Sequence, residues 1–351
     1  MKLNLIFFYC IFHKLLVNSS QYQLNPNQQQ LYYIPSTGTY IWGGRHDQYL
    51  QFIKSTTTTQ KPSDSSGSDN DILQCGVRNI DEHLYRQPKI VGGTEPKYGS
   101  FPWLIEIAKY DTEATPRQWK HHCGGALLPT RKGDLILTAA HCLQPPIQIN
   151  ELRVIAGDHN LKTHDLHEQI MGVADFIVHP AFRQDGPYSN DIAIIKVRPR
   201  SGTNRGFSFT SHVQPICLPT ENDTPSTGAW CDVSGWGMTD GDDLDTQSTI
   251  LQAITVPIID TAKCRSSTFY GGRQQKILDS MMCAGYLNGG KDACGGDSGG
   301  PLACELNGRF HLAGLVSWGD GCAKEHRPGV YTRVNYYANW IQTTIKQLNL
   351  R

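Results

Sequence analysis

The 351-residue sequence has no excess of charge of either sign, since 32 lysine and arginine residues balance 32 aspartate and glutamate residues. A chain that bound nucleic acid or an acidic membrane through its overall charge would be basic. The composition therefore predicts no nucleic-acid partner and no membrane partner. The cysteines also lack any Cys-x-x-Cys pair, which disfavours a structural zinc site.

The sequence also lacks an apolar run of the roughly 18–20 residues that a membrane-spanning helix needs. A shorter apolar stretch at 3–12 follows Lys2 and precedes the small residues Ser19 and Ser20. This order is typical of a secretory signal peptide. We predict a signal peptide over residues 1–20, with a membrane anchor as the alternative, and therefore a secreted, extracellular protein.

Eleven cysteines are present, and one of them, Cys10, lies in the predicted signal peptide. The remaining ten are an even number in an exported chain, which predicts five disulfides.

Residues 21 to about 74 are rich in Gln, Ser, Thr and Asn and poor in core-forming side chains. Such a composition buries too little apolar area to offset the entropy of the chain, which predicts a largely disordered segment. Its aromatic residues offer the alternative of a recognition patch. They are Tyr32, Tyr33, Tyr40, Trp42, Tyr49 and Phe52.

From Ile90 onward, short apolar runs alternate with Gly, Pro, Asn and Asp, as at 103–108, 135–138 and 312–318. This alternation of apolar runs and turn residues predicts an all-β sandwich or barrel. Only the segment 336–348 has the three-to-four-residue apolar spacing of a helix.

Three short segments contain the residue types that nucleophilic catalysis uses. They place His141 in LTAAHC, Asp191 in SNDIAII and Ser298 in DACGGDSGGP. Singly, each has a structural explanation, because a histidine beside a cysteine is usually structural and an aspartate before an apolar run usually begins a strand or turn. Together and in this order they are highly specific.

On these motifs, residues 90–351 resemble the trypsin/chymotrypsin family of serine proteases. The resemblance implies two packed six-stranded antiparallel β-barrels with a C-terminal helix, preceded by a pro-region at 21–89. It also implies a serine endopeptidase that requires no cofactor and acts on protein substrates.

The resemblance assigns Ser298 as nucleophile, His141 as base and Asp191 as the group that orients the base. Gly296 and Ser298 would donate backbone N–H groups to the oxyanion. The alternative, that the glycines only make a turn, does not account for the surrounding motif. Ser317 resembles the serine that supports the aspartate.

The resemblance places Asp292 at the base of the substrate pocket, where a carboxylate favours a cationic residue, and leaves the pocket open at Gly319 and Gly329. Because Ala293 offers no hydroxyl to lysine, we expect cleavage after Arg to exceed cleavage after Lys.

The junction Lys89–Ile90 resembles the family's activation site and implies a zymogen. Cleavage after Lys89 would free the α-amino group of Ile90, which would pair with Asp297. A simple strand start at Ile90 is the alternative. Since the junction is a lysine, we expect an upstream activating protease.

The resemblance implies five disulfides, and Cys75–Cys217 among them would keep the two chains joined as a monomer after the cut. They are Cys75–Cys217, Cys123–Cys142, Cys231–Cys304, Cys264–Cys283 and Cys294–Cys322.

The loop 158–168 resembles the family's calcium loop and carries Asp158, Asp165 and Glu168 as candidate ligands for a structural calcium ion. An ordinary acidic surface loop is the alternative. Pro328 argues against sodium binding. Asn222 begins a glycosylation sequon, which predicts a glycoprotein.

The long pro-region and Cys75 favour a regulated extracellular cascade, with serpin-type inhibitors as further partners. The chain resembles arthropod-type cascade proteases, but without their cysteine-knotted regulatory domain. A digestive or venom protease is the alternative. A non-catalytic binding homologue is disfavoured because His141, Asp191 and Ser298 are all present.

Overall fold

The structure is a computed structural model that describes residues 30–34, 39–43, 74–82, 93–144, 147–238, 246–273, 275–290 and 295–350. It comprises two units, Met1–Asp71 and Ile72–Arg351. In the first unit, β1 (Gln30–Ile34) and β2 (Thr39–Gly43) form an antiparallel pair. This pair is local structure that the composition of the segment does not predict.

In the described part of the second unit, twelve strands form two closed antiparallel barrels. The N-terminal barrel has the order β3-β4-β5-β8-β7-β6 and consists of β3 (Leu104–Asp111), β4 (Gln118–Leu127), β5 (Leu135–Thr138), β6 (Leu152–Ala156), β7 (Gln169–Val178) and β8 (Ala193–Val197). The C-terminal barrel has the order β10-β11-β14-β13-β12-β9 and consists of β9 (Trp230–Gly235), β10 (Gln252–Ile259), β11 (Met281–Ala284), β12 (Pro301–Leu306), β13 (Arg309–Trp318) and β14 (Gly329–Arg333). The prediction of two six-stranded antiparallel barrels is confirmed.

Among the residues that the structure describes, the helices are short except at the C-terminus. They are α1 (Thr261–Cys264), α2 (Ala338–Asn349) and 3-10 turns at Ala140–Leu143, Ile149–Glu151 and Val334–Tyr337. In α2, Ile341 and Leu348 are buried seven residues apart on one helical face, which confirms the C-terminal helix. Within the described ranges, no helix has the length and apolar character to cross a membrane.

A shared apolar core fixes the segments that flank the candidate site. β5 is wholly buried and pairs with β8, with Leu137 opposite Ile194. Both side chains pack in a cluster that also contains Trp236 and Leu315 from the C-terminal barrel. Because burying one such aliphatic side chain contributes about 1.5–3 kcal/mol, the ends of β5 and β8 are held firmly.

Disulfides join Cys75 to Cys217, Cys123 to Cys142, Cys231 to Cys304, and Cys264 to Cys283, as the family resemblance implies. Cys322 is also disulfide-bonded. Its predicted partner, Cys294, lies outside the described residues.

The segment 74–82 is attached to the protease by more than its disulfide. The Arg78 guanidinium lies 2.8 Å from the Asp232 carboxylate and 4.1 Å from the centroid of the Phe310 ring. The backbone N–H of Phe310 donates to the Gly76 carbonyl oxygen at 2.9 Å. An ion pair, a cation–π contact and backbone pairing therefore act beside the Cys75 bridge.

We predict that Arg78→Met destabilises the protein by about 1–3 kcal/mol, because the largely buried Asp232 carboxylate loses its cation and keeps only the Thr255 hydroxyl as a side-chain donor. The free energy of unfolding would be measured by denaturant titration with the disulfides intact. The double variant Arg78→Met/Asp232→Asn is the matched control and should recover most of the loss. A single variant within about 1 kcal/mol of the wild type would contradict this account, since that is the range of exposed ion pairs.

Candidate active site

His141 occupies the 3-10 turn that follows β5, and two bonds hold it against Asp191. Its ring Nδ1 lies 2.8 Å from Asp191 Oδ2, and its backbone N–H donates to Asp191 Oδ1 at 2.9 Å. Because a carboxylate only accepts, Nδ1 carries the hydrogen. In the neutral ring, Nε2 then has the free lone pair.

The Asp191 side chain is fully buried, and further donors surround it. Ser317 Oγ donates to Oδ2 at 2.6 Å, and Thr332 Oγ1 donates to the Asp191 backbone carbonyl at 2.7 Å. A buried carboxylate requires such partners, since an unpaired buried charge is strongly unfavourable. Ser317 and His141 stabilise the carboxylate and fix its direction, and Thr332 holds the main chain of Asp191.

Ser298 lies in a loop that packs against the histidine turn. The Ser298 carbonyl accepts the Gly124 N–H at 2.7 Å and lies 3.7 Å from Cys142 Sγ, beside His141 in sequence. Among the described residues, no hydrogen bond joins Ser298 Oγ to His141 Nε2. Such contacts are often long without substrate and shorten when it binds.

Two backbone carbonyls near Ser298 each accept a hydrogen bond from a separate backbone N–H group. Met238 N–H donates to the Gly295 carbonyl at 2.7 Å, and Gly300 N–H donates to the Asp297 carbonyl at 2.9 Å. In a trans peptide the N–H points opposite to the C=O. These two bonds therefore orient the N–H groups of Gly296 and Ser298, which the sequence predicts as oxyanion donors.

The Asp297 carboxylate sits against a glycine-lined surface. The Gly237 N–H donates to Asp297 Oδ1 at 2.8 Å. A Cβ on Gly235 or Gly237 would collide with the carboxylate, so glycine at these positions lets Asp297 keep its place. Sequence reasoning missed both glycines, although the run Ser234-Gly-Trp-Gly237 is a visible signal. Lys89 and Ile90 lie outside the described residues.

The predicted pocket residues are only partly described. Gly319 directly follows β13 and Gly329 begins β14, and the two strands pair with Trp318 opposite Val330. The structure thus brings Gly319 and Gly329 to neighbouring strand ends, with Gly319 directly after the strand that carries Ser317. Asp292 and Ala293 lie outside the described residues.

An aromatic wall beside His141, formed by Tyr188, Trp318 and Tyr270, was not foreseen from the sequence. The Tyr188 ring meets the His141 ring edge-on at 6.0 Å and stacks on Trp318 at 6.0 Å, and Trp318 packs edge-on against Tyr270 at 5.1 Å. The only signal is the position of Tyr188, three residues before Asp191. This wall limits the space next to the histidine.

The loop 158–168 does not gather its three carboxylates into a metal site. Asp165 Oδ2 accepts two backbone N–H groups, from His159 and Asn160, and Glu168 Oε2 accepts the Asp165 N–H at 3.0 Å. Within the described ranges, the only His, Cys, Asp or Glu group with three clustered ligand atoms is Cys123, His141 and Cys142, whose sulfurs form a disulfide. Calcium binding stays a prediction.

Two closed β-barrels with a histidine–aspartate pair beside a loop serine define a double-barrel serine protease. A trypsin family model matches residues 90–341. A hepatocyte growth factor activator serine protease of Homo sapiens is 35% identical over 272 residues, covering 78% of this chain and 39% of that protein. Urokinase-type plasminogen activator of Gallus gallus is 38% identical over 276 residues, covering 77% and 60%. Coagulation factor XI of Bos taurus is 39% identical over 253 residues, covering 72% and 37%.

The chain therefore belongs to the trypsin family and is a serine endopeptidase. It spans between 37% and 60% of the length of these three relatives.

We predict that ionisation of Asp158 lowers the stability of the protein as pH rises from about 4 to about 8. Burial and the neighbouring Glu106 carboxylate raise the pKa of Asp158 to about 8, whereas an unfolded aspartate titrates near about 3.9. Between these values the folded state binds the extra proton, so ionisation of Asp158 costs stability as pH rises.

Thermal unfolding in calcium-free buffer would test this. Asp158→Asn should flatten the decline, whereas Asp185→Asn, at an exposed position, should leave it unchanged. An equally steep decline in Asp158→Asn would contradict the assignment. Calcium would be added at the upper pH, where a stabilisation that Asp158→Asn abolishes would support the predicted calcium loop.

Proposed function

We propose that this endopeptidase is a secreted zymogen whose active form cleaves after arginine, and less efficiently after lysine, in an extracellular cascade. The observation that carries the catalytic part is the fully buried Asp191 carboxylate bonded to His141 Nδ1 at 2.8 Å. That bond leaves Nε2 free to act as the base, and Cys142, next to His141 in sequence, lies against the loop of Ser298. An oriented base next to a serine is the arrangement that nucleophilic catalysis requires.

The reaction follows from the directions of these groups. His141 Nε2 takes the hydroxyl proton of Ser298 while Oγ attacks the substrate carbonyl carbon. The carbonyl oxygen becomes negative and receives the Gly296 and Ser298 N–H groups. His141 then gives its proton to the leaving amine, which breaks the peptide bond and leaves an acyl-enzyme. Water, deprotonated by His141, releases the second product and restores Ser298.

Two substitutions test the catalytic assignment in protein cut after Lys89. Ser298→Ala should reduce hydrolysis of an arginyl peptide to background, and Asp191→Asn should lower kcat by about 10⁴-fold, as the same change does in the well-studied member of this family. Ser211→Ala, at an exposed site, is the control and should retain full activity. Activity in Ser298→Ala within about tenfold of the wild type would contradict the assignment, because removal of the nucleophile costs far more.

The preference for arginine rests on Asp292 and Ala293. A guanidinium binds one carboxylate with two parallel hydrogen bonds, whereas an ammonium needs further acceptors such as a hydroxyl. The adjacent strand ends at Gly319 and Gly329 are consistent with a pocket that admits a long side chain.

We predict that Ala293→Ser narrows the Arg/Lys ratio of kcat/KM, because the added hydroxyl supplies an acceptor to lysine. The ratio would be measured with paired peptides that differ only at the residue before the cleaved bond. Arg-peptide kcat/KM serves as the internal control and should change little. A wild-type enzyme that prefers lysine, or aromatic residues, would contradict the assignment of the pocket.

Activation is proposed to occur by a cut after Lys89, which frees the Ile90 amino group to pair with Asp297. The fit of the Asp297 carboxylate against Gly235 and Gly237 supports a fixed acceptor for that group. A preference for arginine makes self-cleavage at a lysine inefficient, so an upstream protease is the proposed activator. The Cys75–Cys217 bridge would then hold both chains in one monomer.

The cascade assignment is supported by the kinds of relative that the chain resembles. Two are named as activators of other proteins and one as a coagulation factor. A digestive or venom role is the alternative, and cleavage of one folded protein rather than general digestion would distinguish them. A serpin-type inhibitor is the proposed regulator, since it traps serine proteases that prefer arginine or lysine. The fully bonded His141–Asp191 pair disfavours a non-catalytic binding homologue.

A further inference from the structure

The buried carboxyl group of Glu106 is not explained by the triad or by the substrate pocket. Glu106 lies inside β3, hydrogen-bonded on both sides to β4 and β6, and its side chain is 7% exposed. Burying a carboxylate is costly unless a partner compensates it. Among the described residues, the Asp158 carboxyl group is hydrogen-bonded to Glu106. The nearest ring nitrogen is His121 Nδ1, which is buried, makes no hydrogen bond of its own and lies 3.5 Å from Glu106 Oε1.

A β-bulge brings these two residues to the same face of the sheet. In the pairing of β3 with β4, Ile107 lies opposite Cys123, but Ala108 lies opposite His121, so that His122 is the extra residue. Side chains two apart on a strand point to the same face. The bulge therefore moves His121 to the face that carries Glu106 and Ala108, where regular pairing would have placed His122.

The second nitrogen of His121 reaches the loop of Ser298. The His121 side chain is 2% exposed, packs its ring 5.5 Å from Trp236, and places Nε2 at 2.8 Å from the Gly296 carbonyl oxygen. A carbonyl oxygen only accepts, so Nε2 carries the hydrogen and donates it. The ring thus bridges Glu106 in the barrel and Gly296 in the loop.

The Gly296 carbonyl belongs to the one peptide that lies between the two oxyanion donors. The peptides on either side are oriented by Met238 N–H and by Gly300 N–H. Gly296 itself has φ +101°, a conformation that glycine adopts freely and can also leave freely. The intervening Gly296–Asp297 peptide is held by the His121 side chain, so rotation there would turn the two N–H groups away from a common point.

We propose that Glu106 is a positioning residue for the oxyanion hole, which it acts on through His121 and the Gly296 carbonyl. Glu106 holds the ring so that Nε2–H faces Gly296, and the ring holds the peptide. The inference rests on the proposed roles of Gly296 and Ser298. Its consequence is selective: ligands that develop a negative oxygen depend on Glu106, and ligands that only fill the substrate pocket do not.

The test uses the full chain cut after Lys89, with the variants Glu106→Leu, Glu106→Gln, His121→Phe and the double variant Glu106→Leu/His121→Phe. Glu113→Leu, an exposed change in the loop between β3 and β4, is the matched control. Four quantities are measured for each protein. They are kcat and KM for an arginyl peptide, the affinity for a peptidyl trifluoromethyl ketone that forms a tetrahedral oxyanion, and the affinity for benzamidine, a small cation that enters only the pocket.

Glu106→Leu should lower kcat by about 10-fold or more, because loss of a full oxyanion donor costs about 10²–10³ and misplacement costs part of that. Trifluoromethyl ketone affinity should fall in parallel, with KM and benzamidine affinity within about twofold of the wild type. Glu106→Gln keeps a polar partner for Nδ1 and should recover most of the activity. The double variant should be no slower than His121→Phe, since both changes break the same connection.

Several results would overturn the proposal. They are an unchanged kcat in Glu106→Leu, an equal loss of benzamidine and ketone affinity, or additive losses in the double variant. If Glu106→Leu fails to fold, the kcat of Glu106→Ala, which also removes the carboxyl group, and the ketone-to-benzamidine ratio of His121→Phe decide the matter. Wild-type protein that hydrolyses no peptide would instead refute the proposed function, on which this inference depends. Active wild type with unaffected variants refutes the role of Glu106 alone.

Discussion

The Asp191 carboxylate is buried away from water and therefore needs hydrogen-bond donors, which both barrels supply. A buried carboxylate must be surrounded by donors, and these come from distant parts of the chain: His141 after β5 and Ser317 in β13. Thr332 in β14 donates to the backbone carbonyl of Asp191 and holds its main chain. Each donor can reach Asp191 only if the two barrels close against each other. The apolar cluster shared by the barrels therefore serves the chemistry directly, because it fixes the positions from which the donors point.

Two other carboxyl groups near the site also need polar partners. Asp297 lies where Gly235 and Gly237 leave room for it, and Glu106 lies where a bulge brings His121 within reach. A hydrogen bond in the interior is strong only when its geometry is kept, and an unmet buried polar group is costly. These groups thus hold the backbone around Ser298 in one arrangement before a substrate arrives, which lowers the reorganisation needed during reaction.

The catalytic residues could be predicted from the sequence because they lie in short motifs of distinctive residues. His141, Asp191 and Ser298 each lie within a few residues of a glycine, alanine or cysteine pattern, and the barrel rhythm follows from alternating apolar runs and turn residues. The roles of Glu106 and His121 could not be predicted, because a one-residue bulge between Ile107 and Ala108 decides which face His121 occupies. The stacking of Tyr188 on Trp318 likewise depends on contact between the segment before β8 and the end of β13, which are far apart in the chain. In the calcium-like loop, spacing identified the carboxylates but not the backbone N–H groups that Asp165 already accepts.

The claim that Asp191 and His141 activate Ser298 is tested most directly by the rate at which a fluorophosphonate labels Ser298. The rate would be measured across neutral pH in the cut protein, with the labelled peptide identified by mass spectrometry. The account predicts rapid labelling confined to Ser298 and a loss of several orders of magnitude in Asp191→Asn, because the histidine would then hold its proton on the wrong nitrogen. Equal labelling rates in the wild type and Asp191→Asn, or labelling at another residue, would contradict it.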